Sequence, residues 1–380
     1  MKLLEYQAKE VLSSLGIAVP PGAVARTPDE AAAAFARLGP VAVKAQVPVG
    51  GRGKAGGIKL AHTAEEARAA AQQIIGMDIK GFKVPLVYCE TALDIAREIY
   101  VGFTVDRDAR ANVLLLSAKG GMDIEQVADE SPDAIARLHP NPWRGPLDFE
   151  LNQMAFDAEL GDLVRPLSAV IKKLYRAIAD YDALTAEINP LVVTKSGDVI
   201  AGDAKLEIDD NAAWRHRDLE QKYGSVIEGD PYEVEAKKRG LTYVSLDGEV
   251  GIIGNGAGLC MSTLDLVQRA GGQAANFCDI GGGAKAEVVE NALAVILMNP
   301  RVRGVLINVF GGITRGDEVA RGIVTARDNL HMKLPLVVRL SGTNEEEGRA
   351  ILKHHGIEPG VNAWEAAQKI VELTRAGARA

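Results

Sequence analysis

The spacing of apolar residues predicts alternating helices and strands over the whole chain. Apolar residues at helical spacing mark a first helix: Leu4, Ala8, Val11, Leu12 and Leu15. Gly16 is placed to end that helix in the left-handed conformation, and Thr27 followed by Pro28 begins a second helix. Strand patterns follow at residues 40–47, 86–90 and 97–103. Residues 120–180 have a mostly helical pattern, so a mixed α/β structure is predicted here.

Strands and helices alternate regularly in the C-terminal third, after a charged segment at residues 209–239 that is predicted to be a linker. The strand patterns lie at residues 250–253, 274–279, 304–310 and 334–340. Each is followed by a glycine-containing loop and a helix, which predicts a doubly wound parallel sheet with ligands at the carboxyl ends of its strands. Such junctions suit anions, because free N–H groups and the positive end of the helix dipole meet there. The glycines at 254–258 lack the dinucleotide fingerprint spacing, so an NAD site is not favoured.

A predicted hairpin, formed by apolar strands on either side of Gly197, carries the first candidate chemistry. A two-residue turn would pair position 189 with 204, whereas a three-residue loop with Gly197 in the left-handed conformation pairs 189 with 203. Glycine adopts that conformation readily, so the three-residue loop is predicted. Glu187, Asn189 and Asp203 then share one face. Carboxylate and amide oxygens beside a phosphate are suitable ligands for Mg²⁺, but a solvated polar face is an equal alternative.

Lys44, on a predicted strand, precedes a loop at residues 50–57 that holds five glycines and two cations. Glycines allow the backbone to approach phosphate closely, and the cations supply charge. The loop lacks the P-loop frame and by itself could be a hairpin tip, but together with Lys44 it favours a lid over nucleotide phosphates. Glu90 and Glu98, at a strand end and the next strand start, could hold a base amino group and ribose hydroxyls, or be solvated.

Composition limits the function classes. The chain has 380 residues, 47% hydrophobic and 25% charged residues and a net charge of −8, which fits a soluble protein of two or three domains and argues against a non-specific nucleic-acid surface. Its apolar runs are too short to span a membrane, and its N-terminus has no signal-peptide core. The 3 cysteines form no C-x-x-C pair, so buried thiols in a reducing cytoplasm are expected.

The motifs together resemble an ATP-grasp nucleotide site and, more narrowly, the beta subunits of succinyl-CoA synthetase (succinate–CoA ligase). Three segments carry the resemblance in one order: residues 5–9 (EYQAK), 50–57 (GGRGKAGG) and 187–191 (EINPL). It runs nearly end to end, and it implies an ATP-grasp domain at 1–238 followed by a flavodoxin-like CoA-ligase domain at 239–380. It also implies nucleotide-binding residues: Lys44, Gly51, Arg52, Gly53, Glu90, Leu93 and Glu98.

The resemblance further implies reversible phosphoryl transfer, in which ATP or GTP with succinate and CoA gives succinyl-CoA, the nucleoside diphosphate and phosphate. The implied site residues are Asn189 and Asp203 for Mg²⁺, Glu187 as the catalytic residue, Asn255, Gly312, Ile313 and Thr314 for the acid, and Gly281, Gly282 and Gly283 facing a phosphohistidine. None of the 6 histidines follows a strand in a glycine-rich loop. In the family, a separate alpha subunit carries that histidine and most of the CoA site, in an αβ or α2β2 assembly.

Two positions depart from the family pattern and several alternatives stay open. Pro48 precedes the glycine loop where leucine or histidine is expected, and Ser341 replaces an expected acid. Pro20 favours ATP over GTP as a single-residue cue. The alternatives are a malate–CoA ligase beta subunit, a self-contained ATP-grasp ligase, and a non-catalytic nucleotide-sensing or scaffold subunit. The implied cofactor is Mg²⁺, the implied partner is the alpha subunit, and neither nucleic acid nor membrane is expected to bind.

Overall fold

The structure is a computed structural model that describes residues 1–224, 230–282, 285–357 and 359–377. The helices are α1 (Glu5–Ser14), α2 (Pro28–Leu38), α3 (Ala64–Ile74), α4 (Ile124–Glu130), α5 (Asp148–Asp157), α6 (Val164–Tyr181), α7 (Arg217–Tyr223), α8 (Pro231–Lys238), α9 (Ala257–Arg269), α10 (Ala286–Leu297), α11 (Gly316–Asn329), α12 (Glu345–His354) and α13 (Ala363–Gly377). The strands are β1 (Gly22–Ala25), β2 (Val41–Ala45), β3 (Ile58–Ala61), β4 (Asp78–Ile79), β5 (Phe82–Lys83), β6 (Val87–Thr91), β7 (Ile95–Asp106), β8 (Ala111–Ser117), β9 (Ala136–Leu138), β10 (Ala183–Thr194), β11 (Val199–Ala201), β12 (Lys205–Ile208), β13 (Thr242–Ser245), β14 (Val250–Gly254), β15 (Asn276–Asp279), β16 (Gly304–Gly311) and β17 (Leu336–Gly342).

The chain forms two compact units, residues 1–227 and 228–380. The predicted domain boundary after residue 238 falls at the end of α8, whose Ala236 belongs to the core of the second unit. No helix of the described residues is long and apolar enough to cross a membrane.

The first unit is built on two main sheets. An antiparallel sheet in the order β1-β6-β2-β3 is covered by the alanine-rich helices α2 and α3. A six-stranded sheet runs β11-β10-β7-β8-β9, with β12 also paired to β10. Its core receives the apolar face of α6, including Leu167, Ile171 and Leu174, each of which stabilises the fold by about 1.5–3 kcal/mol when fully buried.

The predicted hairpin register is confirmed. Leu191 pairs with Ala201 and Val193 with Val199, and Glu187 pairs with Lys205 further along. Gly197 has a φ of +91°, so it adopts the left-handed conformation that the three-residue loop needs. The same register sets position 189 opposite 203, at the point where β11 ends and β12 has not begun.

The second unit contains the predicted parallel sheet, with strand order β13-β15-β14-β16-β17. Strands β15, β14, β16 and β17 are parallel, in the order typical of flavodoxin-like doubly wound sheets. Helices α8, α10, α11 and α12 contribute to the core on one face, and α9 and α13 to the core on the other.

The segment expected to be a linker is partly helical. Residues 209–239 contain the boundary between the two units, as predicted for a linker, but their described parts form a 3-10 turn, α7 and α8. These helices form because Leu219, Tyr223 and Ala236 supply apolar side chains to the two cores. Residues 120–180 are mostly helical, as predicted, although residues 131–147 within them contain β9 and turns. The antiparallel edge strand β13 was not predicted.

Candidate active site

A buried charge cluster joins α1, β2, β6, the glycine loop and the hairpin of the first unit. Its members are Glu5, Lys9, Lys44, Arg52, Glu90 and Asp203. Lys44 Nζ lies 2.9 Å from Glu5 Oε1 and 2.5 Å from Glu90 Oε1, and it donates to Gly202 O at 2.7 Å. Burial by itself lowers the pKa of Lys44, but the two carboxylates outweigh burial and raise it, so this lysine is charged.

The glycine loop turns Arg52 inward, against the hairpin. Nη1 of Arg52 donates to Glu5 Oε2 at 2.6 Å, and Nη2 donates to both Asp203 oxygens at 2.8 and 2.7 Å. Gly57 makes this turn possible, because a Cβ there would lie 2.9 Å from Ile79 Cδ1 and 3.1 Å from Arg52 O. The sequence predicted that the loop supplies charge, and the structure shows that Arg52 reaches the hairpin that carries Asp203.

Asn189 and Asp203 lie at the same end of the hairpin and already have protein partners. The Asn189 side chain accepts from Gly121 N at 2.8 Å and donates to Met122 O at 2.9 Å. Asp203 is 29% exposed and paired with Arg52. Among the described residues no group of three or more His, Cys, Asp or Glu side chains could hold a metal ion. A carboxylate and an amide oxygen, each with a lone pair to spare, nevertheless fit a Mg²⁺ whose other ligands are water and phosphate.

Glu187 is partly buried next to the hydroxyl group of Tyr100. Burial raises the pKa of the Glu187 carboxyl, the charge of Lys205 opposes that shift, and Glu125 and Asp203 add to it. Tyr100 is buried too, and its side chain is hydrogen-bonded to Glu187. The carboxyl group is therefore oriented, close to Asp203, and easier to protonate than an exposed glutamate.

The other predicted nucleotide-binding residues lie on or near the connection between the two sheets. The Glu90 carboxylate is buried and paired with Lys9 and Lys44, an arrangement that fits fixing those lysines rather than contacting a base. Leu93 is partly exposed in the segment between β6 and β7. Glu98 is exposed on β7 and lies beside Gly121, because a Cβ placed on Gly121 would be 2.8 Å from Glu98 Oε2.

Glycine-rich loops meet at the carboxyl edge of the second unit's sheet. Asn255 Nδ2 donates to Phe310 O at 2.9 Å and to Thr314 Oγ1 at 3.1 Å, so two predicted acid-binding residues are in direct contact. Ile313 is 84% exposed, and the carbonyl of Gly312 accepts from Thr343 Oγ1 at 2.8 Å.

The predicted phosphohistidine loop begins beside these residues. Asp279 Oδ1 accepts from Gly256 N at 2.6 Å and from Gly281 N at 2.8 Å, which ties two strand-to-helix loops together. Gly282 follows in a turn, and Gly283 lies outside the described residues. This edge suits small anions, because it brings together backbone N–H groups, the start of a helix at Ala286 and the partly buried amide of Asn255.

Comparison with known proteins gives the family. An ATP-grasp domain model matches residues 2–193, and a CoA-ligase model matches residues 253–371. A GDP-forming succinate–CoA ligase subunit beta from Thermus thermophilus is 51% identical over 98% of this chain and 99% of its own length. An ADP-forming counterpart from Rubrobacter xylanophilus is 49% identical over 99% of this chain and 100% of its own. The chain belongs to the succinate–CoA ligase beta-subunit family.

A solved structure supports the same fold for this chain. The structure of ATP citrate lyase from Methanothrix soehngenii in complex with citrate and coenzyme A superimposes with a TM-score of 0.74, covering 99% of both chains at 21% identity. That identity supports the fold alone. The predicted fold class, an ATP-grasp domain followed by a CoA-ligase domain, is confirmed.

Sequence reasoning missed Glu5 and Lys9 as parts of the site. The motif at residues 5–9 served only as a mark of the succinate–CoA ligase family. Both side chains are buried in the structure, and Lys9 is 1% exposed, which is rare for a lysine without partners. Their partners lie far away in sequence, so no local pattern indicated this burial.

Proposed function

We propose that this chain is the beta subunit of a succinate–CoA ligase, which forms succinyl-CoA from succinate and CoA coupled reversibly to ATP or GTP. An alpha-subunit partner carrying the phosphorylated histidine and most of the CoA site completes the enzyme, as an αβ or α2β2 assembly in the cytoplasm. The full-length relationship to ADP- and GDP-forming beta subunits carries this proposal. The oriented cation Arg52 beside Asp203 supports it.

The first unit supplies the nucleotide site. Lys44, Arg52 and the backbone of Gly51 to Gly53 neutralise phosphate charge, and Leu93 and Glu98 border the nucleoside, with Glu90 holding Lys44. Asn189 and Asp203 would hold Mg²⁺, which when bound would neutralise the developing charge of the phosphates. Sharing Asp203 with the metal would leave the guanidinium of Arg52 available to the phosphates.

Glu187 acts at the reacting end of the nucleotide. Its carboxyl, fixed by Tyr100, orients the imidazole of the partner's histidine while that ring receives the phosphoryl group. In the second unit, the loop at Gly281 to Gly283 stabilises the phosphohistidine. There Asn255 and the segment Gly312, Ile313 and Thr314 bind the dicarboxylic acid.

The relay is tested with γ-labelled ATP and Mg²⁺, using this chain alone and with the subunit it co-purifies with. Acid-labile, base-stable label on the partner, discharged by succinate plus CoA, is the expected result. Full ligase activity from this chain alone, with no labelled partner, would contradict the proposal and favour a one-chain ligase. Label discharged by malate in preference to succinate would contradict the substrate assignment.

Thr314→Val is expected to raise the KM for succinate about 3- to 10-fold. The substitution removes the hydroxyl that accepts a hydrogen bond from Asn255 Nδ2 at 3.1 Å, so the Asn255 amide is less well oriented. The KM for the nucleotide should not change. Steady-state kinetics of the complete enzyme measures both, with Ser262→Ala on the exposed side of α9 as the control. An unchanged succinate KM would remove Thr314 from the acid site.

A further inference from the structure

Glu5 is shared by the two side chains that carry positive charge into the proposed nucleotide site. Its Oε1 accepts from Lys44 Nζ at 2.9 Å and from Lys9 Nζ at 2.8 Å. Its Oε2 accepts from Arg52 Nη1 at 2.6 Å and from Gln46 Nε2 at 3.3 Å. Each oxygen thus fixes one of the two cations, and the side chain is 1% exposed.

The position of Glu5 at the start of α1 makes it a rigid anchor. Gln7 caps the helix by accepting from Leu4 N at 2.8 Å, and Lys9, one turn further on, braces Glu5 from the same helix. Burial by itself raises the pKa of Glu5, but Arg52, Lys44 and Lys9 outweigh burial and hold its pKa well below the usual range. The carboxylate is therefore ionised whenever the cluster is formed.

The cluster also connects parts of the chain that have to be arranged together. Lys44 comes from β2, Arg52 from the glycine loop, and both reach the hairpin, at Gly202 O and at the Asp203 carboxylate. Long cationic side chains lose substantial rotamer entropy when they bind a ligand, so fixing them beforehand increases affinity. Glu5 is the one member of the buried charge cluster, within the described residues, that bonds to both Lys44 and Arg52.

We propose that Glu5 is a positioning residue for the nucleotide site, which sets the ammonium of Lys44 and the guanidinium of Arg52 through its two separate carboxylate oxygens. The proposal rests on the proposed function, because it assigns these two cations to nucleotide phosphates. Glu5 itself stays behind the cations and contacts no substrate.

Glu5→Gln in the complete enzyme tests this role. The neutral amide keeps the shape but offers one acceptor oxygen in place of two, so the Kd for Mg-ADP is expected to rise about 10- to 100-fold. The KM values for succinate and CoA and the kcat at saturating nucleotide should change by less than about 3-fold, since a uniform loss of binding raises KM alone. Calorimetric titration with Mg-ADP and steady-state kinetics provide the two readouts.

Two further variants separate positioning from stability. Glu10→Gln, on the same helix, removes a carboxylate that pairs with Lys222 at 2.8 Å on the surface, and it should bind Mg-ADP like the wild type. Glu5→Asp keeps the charge but is one methylene shorter, so it cannot reach both cations. It should fold with a Tm close to that of the wild type and bind Mg-ADP with an intermediate Kd.

The outcomes are distinct. Wild-type Mg-ADP affinity in both Glu5 variants would overturn the positioning role and leave the proposed function intact. A lowered Tm with equal losses for nucleotide, succinate and CoA would show a structural role only and would also overturn it. A wild-type complex that binds no Mg-nucleotide would overturn the proposed function and this inference with it.

Discussion

Glu187→Gln is expected to slow phosphorylation of the partner's histidine by about 100- to 10,000-fold, the range over which positioned acid–base groups act. The amide cannot accept a proton or carry negative charge next to the imidazole. Nucleotide affinity should change little, because Lys44, Arg52 and Asp203 keep their contacts with one another and with Glu5 and Glu90. Rapid-quench measurement of label transfer from γ-labelled ATP gives the rate, and titration with Mg-ADP gives the affinity.

The same substitution is expected to stabilise the fold slightly at neutral pH. Burial raises the pKa of Glu187 in the folded chain above its unfolded value, which is about 4.3 for a free glutamate. Between those two pKa values the folded state holds more protons than the unfolded state, so stability falls as pH rises through that window and stays lower above it. Glutamine does not titrate, so the Tm advantage of the variant should be present at pH 7 and disappear below the unfolded pKa.

The control for both effects is Glu207→Gln, on β12 of the same sheet. It removes one carboxylate from the neighbouring strand and should leave phosphoryl transfer unchanged. A Glu187→Gln variant that transfers label at the wild-type rate would exclude an acid–base or orienting role. A large loss of Mg-ADP affinity would instead make Glu187 a nucleotide-binding residue.

Local turn chemistry explains why the hairpin could be predicted from the sequence. Gly197 alone settles the choice between a two-residue and a three-residue loop, and that choice fixes the register that sets position 189 opposite 203. The parallel sheet of the second unit was predictable for a similar reason, because the order strand, glycine-containing loop, helix repeats along the sequence. Both features depend on residues close together in sequence.

The buried charge cluster was beyond sequence reasoning because its contacts join distant segments. Lys9 and Gly202 O are 2.8 Å apart although 193 residues separate them, and Glu5 reaches Arg52 over 47 residues. Read locally, Glu5 and Lys9 are an ordinary i,i+4 ion pair of the kind found on solvated helix surfaces. Charge also misled at residues 209–239, where the few apolar residues, Leu219 and Tyr223 among them, decide the structure.

Asp203→Asn is expected to weaken binding of Mg-ADP by about 100-fold or more while affecting metal-free ADP little, because hydrogen bonds and ion pairs to a charged group contribute most at partly buried sites. Asp203 is the carboxylate that Arg52 holds through both oxygens in this structure, at 2.8 and 2.7 Å. Arg52 and a divalent cation held at this site would therefore compete for the carboxylate, and binding of the cation would leave the guanidinium available to phosphate. The asparagine variant loses the site for the cation and keeps the positive charge of Arg52 and Lys44.

Arg52→Gln is the informative companion of that variant, because the two substitutions should change the affinity for a divalent cation without nucleotide in opposite directions: Asp203→Asn lowers it and Arg52→Gln raises it. Without the guanidinium, Asp203 is open, so Mn²⁺ measured by electron paramagnetic resonance in the absence of nucleotide should bind several-fold more tightly than to the wild type, while Mg-ADP binds more weakly. Asp198→Asn, at the turn of the same hairpin, where its carboxylate accepts from Ser196 Oγ at 2.7 Å, should change neither affinity. If Asp203→Asn retained the wild-type preference for Mg-ADP over metal-free ADP, the metal would have to be bound elsewhere. If Arg52→Gln left the Mn²⁺ affinity unchanged, Arg52 and the cation would not share the carboxylate.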